Sequence, residues 1–158
     1  MRTKTVLLVT IWVLMSGLST WAQTQKDVLK ALILMNNKME AGIGQREYPS
    51  ALADLATELQ LFEGTPEAKQ APQFTAAARE AVDHYRVLGV AIAAAYRGVL
   101  SSNDDRRAFN QVVDAYSKIR VVNSPATGAR LIDVGDVARA AMARAQEATR
   151  QAQASLGR

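Results

Sequence analysis

The sequence predicts an all-α protein: a small up-and-down helical bundle of four main helices plus one shorter helix, preceded by a signal peptide. Apolar side chains recur every three or four residues over most of the chain, which is the spacing of amphipathic helices. No segment shows the alternation of apolar and β-branched polar residues that is typical of a strand, and Val121-Val122 is too short to count as one. The first residues differ from this pattern and form a separate segment.

Residues 1–22 have the organisation of a signal peptide. Arg2 and Lys4 precede an apolar run at positions 6–18. This run is shorter than the roughly 20 apolar residues of a helix that spans a bilayer. The small residue Ala22 predicts cleavage before Gln23. We therefore expect an exported protein, periplasmic or extracellular, with a leader that remains as a membrane anchor as the alternative.

Residues 23–158 are predicted to form one helical-bundle domain. Without the leader, the chain has 17 basic and 15 acidic residues, a net charge of +2. This balance argues against a nucleic-acid partner, because such surfaces carry a concentrated basic stripe. The chain has no cysteine, so disulfides contribute nothing to its stability.

The predicted helices follow in chain order from these spacings and from their capping residues. The first covers residues 24–41 and ends at Gly42, and the second covers residues 49–63 with Pro49 in its first turn. Thr65-Pro66-Glu67 predicts a cap and a short helix. A long helix is expected over residues 71–100, because apolar residues continue at helical spacing from Phe74 to Val99.

Two further helices complete the predicted bundle. Residues 104–122 are expected to form the fourth helix, with Asp104 and Asp105 at its start. The final helix is predicted to begin near Val134 or Asp136, and its inner stripe consists almost entirely of alanine. We expect this stripe to pack against the alanine-rich part of the long helix, around residues 89–95, because small side chains let two helix axes approach closely.

Candidate metal ligands are few, and no cofactor is predicted. Met35 and Met39 lie one turn apart, a spacing that offers two thioethers to cuprous copper, and His84 is the only histidine. Both methionines also lie on the apolar stripe of the first helix, where methionine ordinarily fills the core. His84 is interpreted as a partly exposed histidine without a catalytic role, since the chain has no cysteine nucleophile or Gly-x-Ser-x-Gly motif.

Two sets of residues are candidates for binding. Arg139, Arg144 and Arg150 give the last helix a basic face that suits an acidic partner, although an ordinary solvated face is the simpler interpretation. Tyr85, Tyr96 and Tyr116 are the candidate lining of a ligand pocket between helices, although ordinary core packing is the simpler explanation of these tyrosines.

The predicted function is that of a non-enzymatic module that binds a protein or a small apolar ligand. It rests on four amphipathic helices in a chain without a recognisable catalytic motif. A periplasmic copper or cofactor protein is the second hypothesis, and an enzyme built from carboxylates and tyrosines is the third. A bundle displayed from a membrane by an uncleaved leader is the fourth.

Overall fold

The computed structural model describes residues 24–156, and most of them are helical. These residues form six α-helices, one more than the predicted four main helices and one shorter helix. A 3₁₀ turn at Ala95–Arg97 follows the longest helix. The elements in chain order are α1 (Gln25–Glu40), α2 (Tyr48–Glu63), α3 (Pro66–Gln70), α4 (Pro72–Ala94), β1 (Val99–Ser101), α5 (Arg106–Ala115), β2 (Val121–Asn123), β3 (Arg130–Asp133) and α6 (Val134–Ser155).

Short polar side chains start four of the helices. Thr24 and Asp27 form a reciprocal capping box at the start of α1. The side chains of Thr65, Asp105 and Asp133 accept a hydrogen bond from a first-turn backbone N–H of α3, α5 and α6. These caps satisfy backbone donors that have no partner inside a helix, and they define where each helix begins.

The most extensive packing between described elements joins α4 and α6. The buried side chains of α6 are mostly alanine, and Ala141, Ala145 and Ala152 are fully buried. Ala78 and Ala81 are fully buried on α4. This contact agrees with the expectation that the alanine stripe of the last helix packs against the long helix. We call it the α4–α6 seam.

Tyr85 joins the seam to the first two helices. Its side chain is fully buried, and its hydroxyl donates a short hydrogen bond to Asn36 of α1. Its backbone carbonyl accepts a hydrogen bond of 2.6 Å from the Tyr48 hydroxyl of α2. A Cβ atom at Gly89 would lie 3.2 Å from the Tyr48 ring, so the absence of a side chain there makes room for this ring. The core therefore has a polar connection among three helices.

A small antiparallel sheet lies beside the helices, and the prediction of an all-α chain without strands is wrong on this point. Strand β3 lies between β1 and β2. Leu100 and Val121 are both in register with the fully buried Ile132, on the face toward the core. The strands were missed because each has only three or four residues, too few for an alternating pattern.

Two helices are shorter than the periodicity predicts. The long helix ends at Ala94 instead of Leu100, because the chain turns at Gly98, whose φ of 70° is in the left-handed region. The helix predicted over residues 104–122 is α5, and it ends at Ala115 instead of Val122. Apolar residues continue past both ends because they enter the sheet or line a groove. Asp105 caps α5 as expected, and the helix therefore begins at Arg106. Asp104 lies before the cap and forms an ion pair of 3.4 Å with Arg97.

The predicted signal peptide lies outside the described residues. Among residues 24–156, none of the helices combines the length and the apolar character needed to cross a membrane.

The close approach across the seam predicts the effect of a larger side chain. Ala145→Leu is expected to lower the free energy of unfolding by about 2 kcal/mol or more, because the added atoms must enter a fully packed contact. Urea denaturation measures the change. Ala154→Leu on the exposed face of the same helix is the control, and it should stay within about 0.5 kcal/mol of the wild type. Equal stability of both variants would contradict this packing.

Candidate functional site

A groove of about 760 Å³ runs between α6 and the segment that follows α5. One wall is residues 115–120, and the other is the part of α6 from residue 136 to residue 150. The three candidate arginines, Arg139, Arg144 and Arg150, all line it. We call it the α6 groove. Its volume lies within the range of sites that bind small molecules, about 300–1,000 Å³.

Cations outnumber carboxylates on the walls of the α6 groove. Five basic side chains and two acidic ones line it. Asp136 forms a short ion pair with Arg139, and Glu147 forms one of 2.5 Å with Arg150. The other three cations, Lys118, Arg120 and Arg144, form no ion pair with any of the residues described. The groove therefore has a local excess of positive charge that its own acids do not neutralise.

The two carboxylates of the groove are held by their arginine partners. The hydrogen bond from Arg150 is the main cause of a lowered pKa at Glu147, and a second bond from Gln151 acts in the same direction. Glu147 therefore stays ionised and keeps Arg150 engaged.

Apolar groups lie between these charges. Ala140 and Ala143 of α6 face the groove, and Ala115, Tyr116 and Ile119 contribute from the opposite wall. Such a lining can hold the hydrocarbon part of a ligand while the cations bind its charged end.

The position of the second wall depends on Tyr116. Its backbone is extended at the end of α5, and its ring stacks on His84 of α4 at a centroid distance of 5.6 Å. The Tyr116 hydroxyl lies 2.9 Å from His84 Nδ1. This contact ties the segment after α5 to α4, so the wall is anchored on the same helix that packs against α6.

His84 also contacts an acid one turn earlier on α4. Its Nε2 lies 3.6 Å from Glu80 Oε1, within ion-pair range although too long for a hydrogen bond. The structure therefore aligns a carboxylate, an imidazole and a phenol, with the phenol at the wall of the α6 groove. Because Glu80 faces Nε2, the neutral ring is expected to carry its proton there and to accept from Tyr116 at Nδ1.

Burial raises the pKa of Tyr116 to about 12, and the positive charge of Arg144 opposes this rise. The phenol therefore remains protonated at neutral pH and acts as a hydrogen-bond donor.

The three candidate tyrosines are not brought together around one cavity. Tyr85 is part of the core, whereas Tyr96 on the 3₁₀ turn is 85% exposed. Of the three, Tyr116 alone lines the α6 groove, within the part of the chain that is described. The hydroxyl groups of Tyr85 and Tyr48 donate hydrogen bonds inside the core.

The candidate metal ligands are in separate surroundings. Met35 is buried in the core, and Met39 packs against it from a partly buried position. His84 is engaged with Tyr116 and Glu80. Residues 24–156 contain no cluster of three or more histidine, cysteine, aspartate or glutamate side chains arranged to hold a metal ion.

Two features of the site were missed from the sequence. Lys118 and Arg120 were not identified as candidates, because they lie within the helix predicted over residues 104–122, which in fact ends before them. His84 was interpreted without its partners, although the spacing of Glu80 and His84 already places them one turn apart on a helix. The contact between His84 and Tyr116 joins residues that lie 32 positions apart, and no local sequence pattern predicts it.

Comparison of the chain with protein-family models, with curated proteins and with solved structures finds no match.

The buried tyrosines predict a loss of stability in alkali. Burial raises the pKa of Tyr48 and of Tyr85 well above the ordinary tyrosine value. Above about pH 10 the unfolded chain loses phenol protons that the folded state keeps. The contribution of these phenols to the free energy of unfolding is therefore complete below that pH and falls above it. The expected fall in unfolding free energy is about 1.4 kcal/mol per pH unit for each group.

Tyr85→Phe tests this expectation by urea denaturation between about pH 8 and pH 11. The variant should show a weaker decline above about pH 10 than the wild type, because one of the three buried phenols with a raised pKa, Tyr48, Tyr85 and Tyr116, is gone. Tyr96→Phe, at an exposed position, is the control and should keep the wild-type decline. An unchanged decline in Tyr85→Phe would show that the burial of this phenol does not govern the pH dependence.

Proposed function

We propose that this protein is an exported, non-enzymatic helical bundle that binds a small organic anion, a carboxylate with an apolar body, in the α6 groove. The single observation that carries the proposal is the set of three cations, Lys118, Arg120 and Arg144, that border the groove without an ion-pair partner among residues 24–156. A bound carboxylate would supply the missing counter-charge.

The chemistry of the cations favours a carboxylate. An arginine guanidinium presents two parallel N–H groups that match the two oxygens of a carboxylate. Arg144 on α6 and Arg120 on the opposite wall both line the groove, so a carboxylate bound between the walls could accept from a guanidinium. Hydrogen bonds of this charged kind contribute more than neutral ones.

The apolar lining favours a ligand with a hydrocarbon body over a bare inorganic anion. Ala140, Ala143 and Ile119 offer contact without hydrogen-bonding groups. Burial of methylene groups against such a lining is favourable by about 0.8 kcal/mol for each group that is fully removed from water.

The concave form favours a small molecule over a folded acidic protein. A stable protein partner usually covers about 800 Å² on each side, with hydrophobic anchors near the centre of the patch. In this protein the unpaired cations and the apolar groups share one groove of about 760 Å³. An acidic protein that docks on Arg139, Arg144 and Arg150 is the alternative occupant of this face.

The proposal includes export because residues 1–22 have the organisation of a signal peptide. Their charged start and short apolar run support a cleaved leader, and retention of the leader would instead display the same groove from a membrane. The N-terminal residue of the protein recovered outside the cytoplasm distinguishes the two forms, with Gln23 expected after cleavage.

Octanoate is a suitable probe of the α6 groove, and octanamide is its uncharged counterpart. The protein is expected to bind octanoate more tightly than octanamide, because only the carboxylate neutralises the groove cations. Arg144→Gln should weaken octanoate binding about tenfold, or about 1.4 kcal/mol, and leave octanamide binding nearly unchanged. Isothermal titration calorimetry measures both affinities.

Arg46→Gln provides the matched control. Arg46 is an exposed arginine that does not line the α6 groove, so its replacement makes the same change in net charge elsewhere. Its octanoate affinity should equal that of the wild type. Equal losses in both variants would mean that net charge alone attracts the probe, and no binding of octanoate by the wild type would overturn the proposal.

A further inference from the structure

We propose that the natural ligand of the α6 groove is a dicarboxylate, with one carboxylate bound at Arg144 and the other at Arg120. The inference rests on the proposed function and names the class of its ligand. The positions of the unpaired cations along the groove carry it.

A second cavity, of about 540 Å³, adjoins the α6 groove where α6 begins. The residues that line both cavities are Arg120, Asp136 and Arg139, and those that line the second cavity alone are Val122 of β2 and Asp133 of β3. Arg120 therefore lies at the end of the groove that is nearest the sheet.

Arg144 lies further along α6. The groove-lining residues of this helix recur at intervals of three and four, so they form one face. Arg144 comes five residues after Arg139 and eight after Asp136, which places its Cα about 7–12 Å further along the helix axis. Lys118 and Arg144 line the groove but not the second cavity. The unpaired cations are thus at two separate points, with Ala140 of α6 between them.

A single carboxylate cannot neutralise both points. The Debye length at physiological salt is about 8 Å, so an anion bound at one point is largely screened from a cation at the other. A monocarboxylate held at Arg144 leaves the guanidinium of Arg120 without a counter-charge. A second carboxylate at the other end of the same ligand supplies it.

The two acids near Arg120 are engaged by other groups. Asp136 forms an ion pair with Arg139, and the Asp133 side chain accepts a hydrogen bond of 2.9 Å from the Asp136 backbone N–H. The positive end of the helix dipole also stabilises a carboxylate at this position. Within residues 24–156, neither acid forms an ion pair with Arg120. This end of the groove therefore offers a cation to the ligand.

The lining between the two points favours a hydrocarbon spacer. Ala140 of α6 and Ile119 of the opposite wall have no polar group in their side chains. Val122, in the second cavity, is 47% exposed and extends the apolar surface toward the sheet. Methylene groups that join two carboxylates gain contact with these side chains, and a polar spacer does not.

Octanedioate is the probe of this inference, and octanoate and 8-aminooctanoate are its counterparts of equal chain length. The three differ in the group at the far end of the chain, which is a second carboxylate, a methyl group or an ammonium group. Isothermal titration calorimetry at about pH 7, where these acids and the amine are ionised, measures the affinities.

Octanedioate is expected to bind about tenfold more tightly than octanoate, because it forms a second set of charged hydrogen bonds. 8-Aminooctanoate is expected to bind more weakly than octanoate, because its ammonium group would lie beside Arg120. Tightest binding of 8-aminooctanoate would assign this end of the groove to the aspartates and overturn the inference.

Arg120→Gln separates the two points. It should lower the affinity for octanedioate about tenfold and leave octanoate binding nearly unchanged, which also shows that the variant is folded. Arg144→Gln should weaken the binding of both probes. Arg46→Gln, with the same loss of charge outside the groove, should bind both as the wild type does. Equal losses for the two probes in Arg120→Gln would contradict the assignment of the second carboxylate to this residue.

The same titrations distinguish this inference from the proposed function. Equal affinities of the wild type for octanedioate and octanoate, with octanoate binding still weakened by Arg144→Gln, would refute the dicarboxylate and leave the proposed function in place. Absence of binding of all three probes would refute both.

Discussion

The structure depends on the close contact between α4 and α6, which small side chains make possible. Alanines on both helices are fully buried, so backbones and short side chains fill the space that larger residues occupy in other cores. Interiors pack densely, and such a contact tolerates little change in volume. The protein has no cysteine, so this packing must hold the domain without covalent links between the helices.

The seam also determines the geometry of the α6 groove. One wall belongs to α6 itself, and the other is fixed to α4 through the pair of His84 and Tyr116. Both walls are thus attached to the same helix contact, which positions the backbone segments that carry the groove cations. Binding residues on short segments that a rigid scaffold positions are common in proteins.

The sequence predicted the elements whose signals are local and long. Helices α1 and α2 and the alanine stripe of α6 follow from apolar spacing, glycines and proline, and the structure places them within a few residues of the expected bounds. The sheet was missed because the pairing of Leu100 and Val121 with Ile132 is not local. Apolar spacing predicted that the long helix continues past Gly98, but α4 ends at Ala94 and the chain makes a left-handed turn at Gly98. The arginines of α6 were recognised as candidates, but Lys118 and Arg120 were not. These two residues line the groove because α5 ends at Ala115, and the sequence predicted a helix that continues past them.

Native-state hydrogen exchange tests the central role of the seam most directly, because it measures the opening free energy of each helix in one experiment. The account predicts that backbone amides in the middle of α4 and of α6 exchange most slowly and with equal opening free energies, since neither helix can open without the other. Faster exchange in α6 than in α1 or α2, or opening of α6 while α4 stays protected, would contradict it.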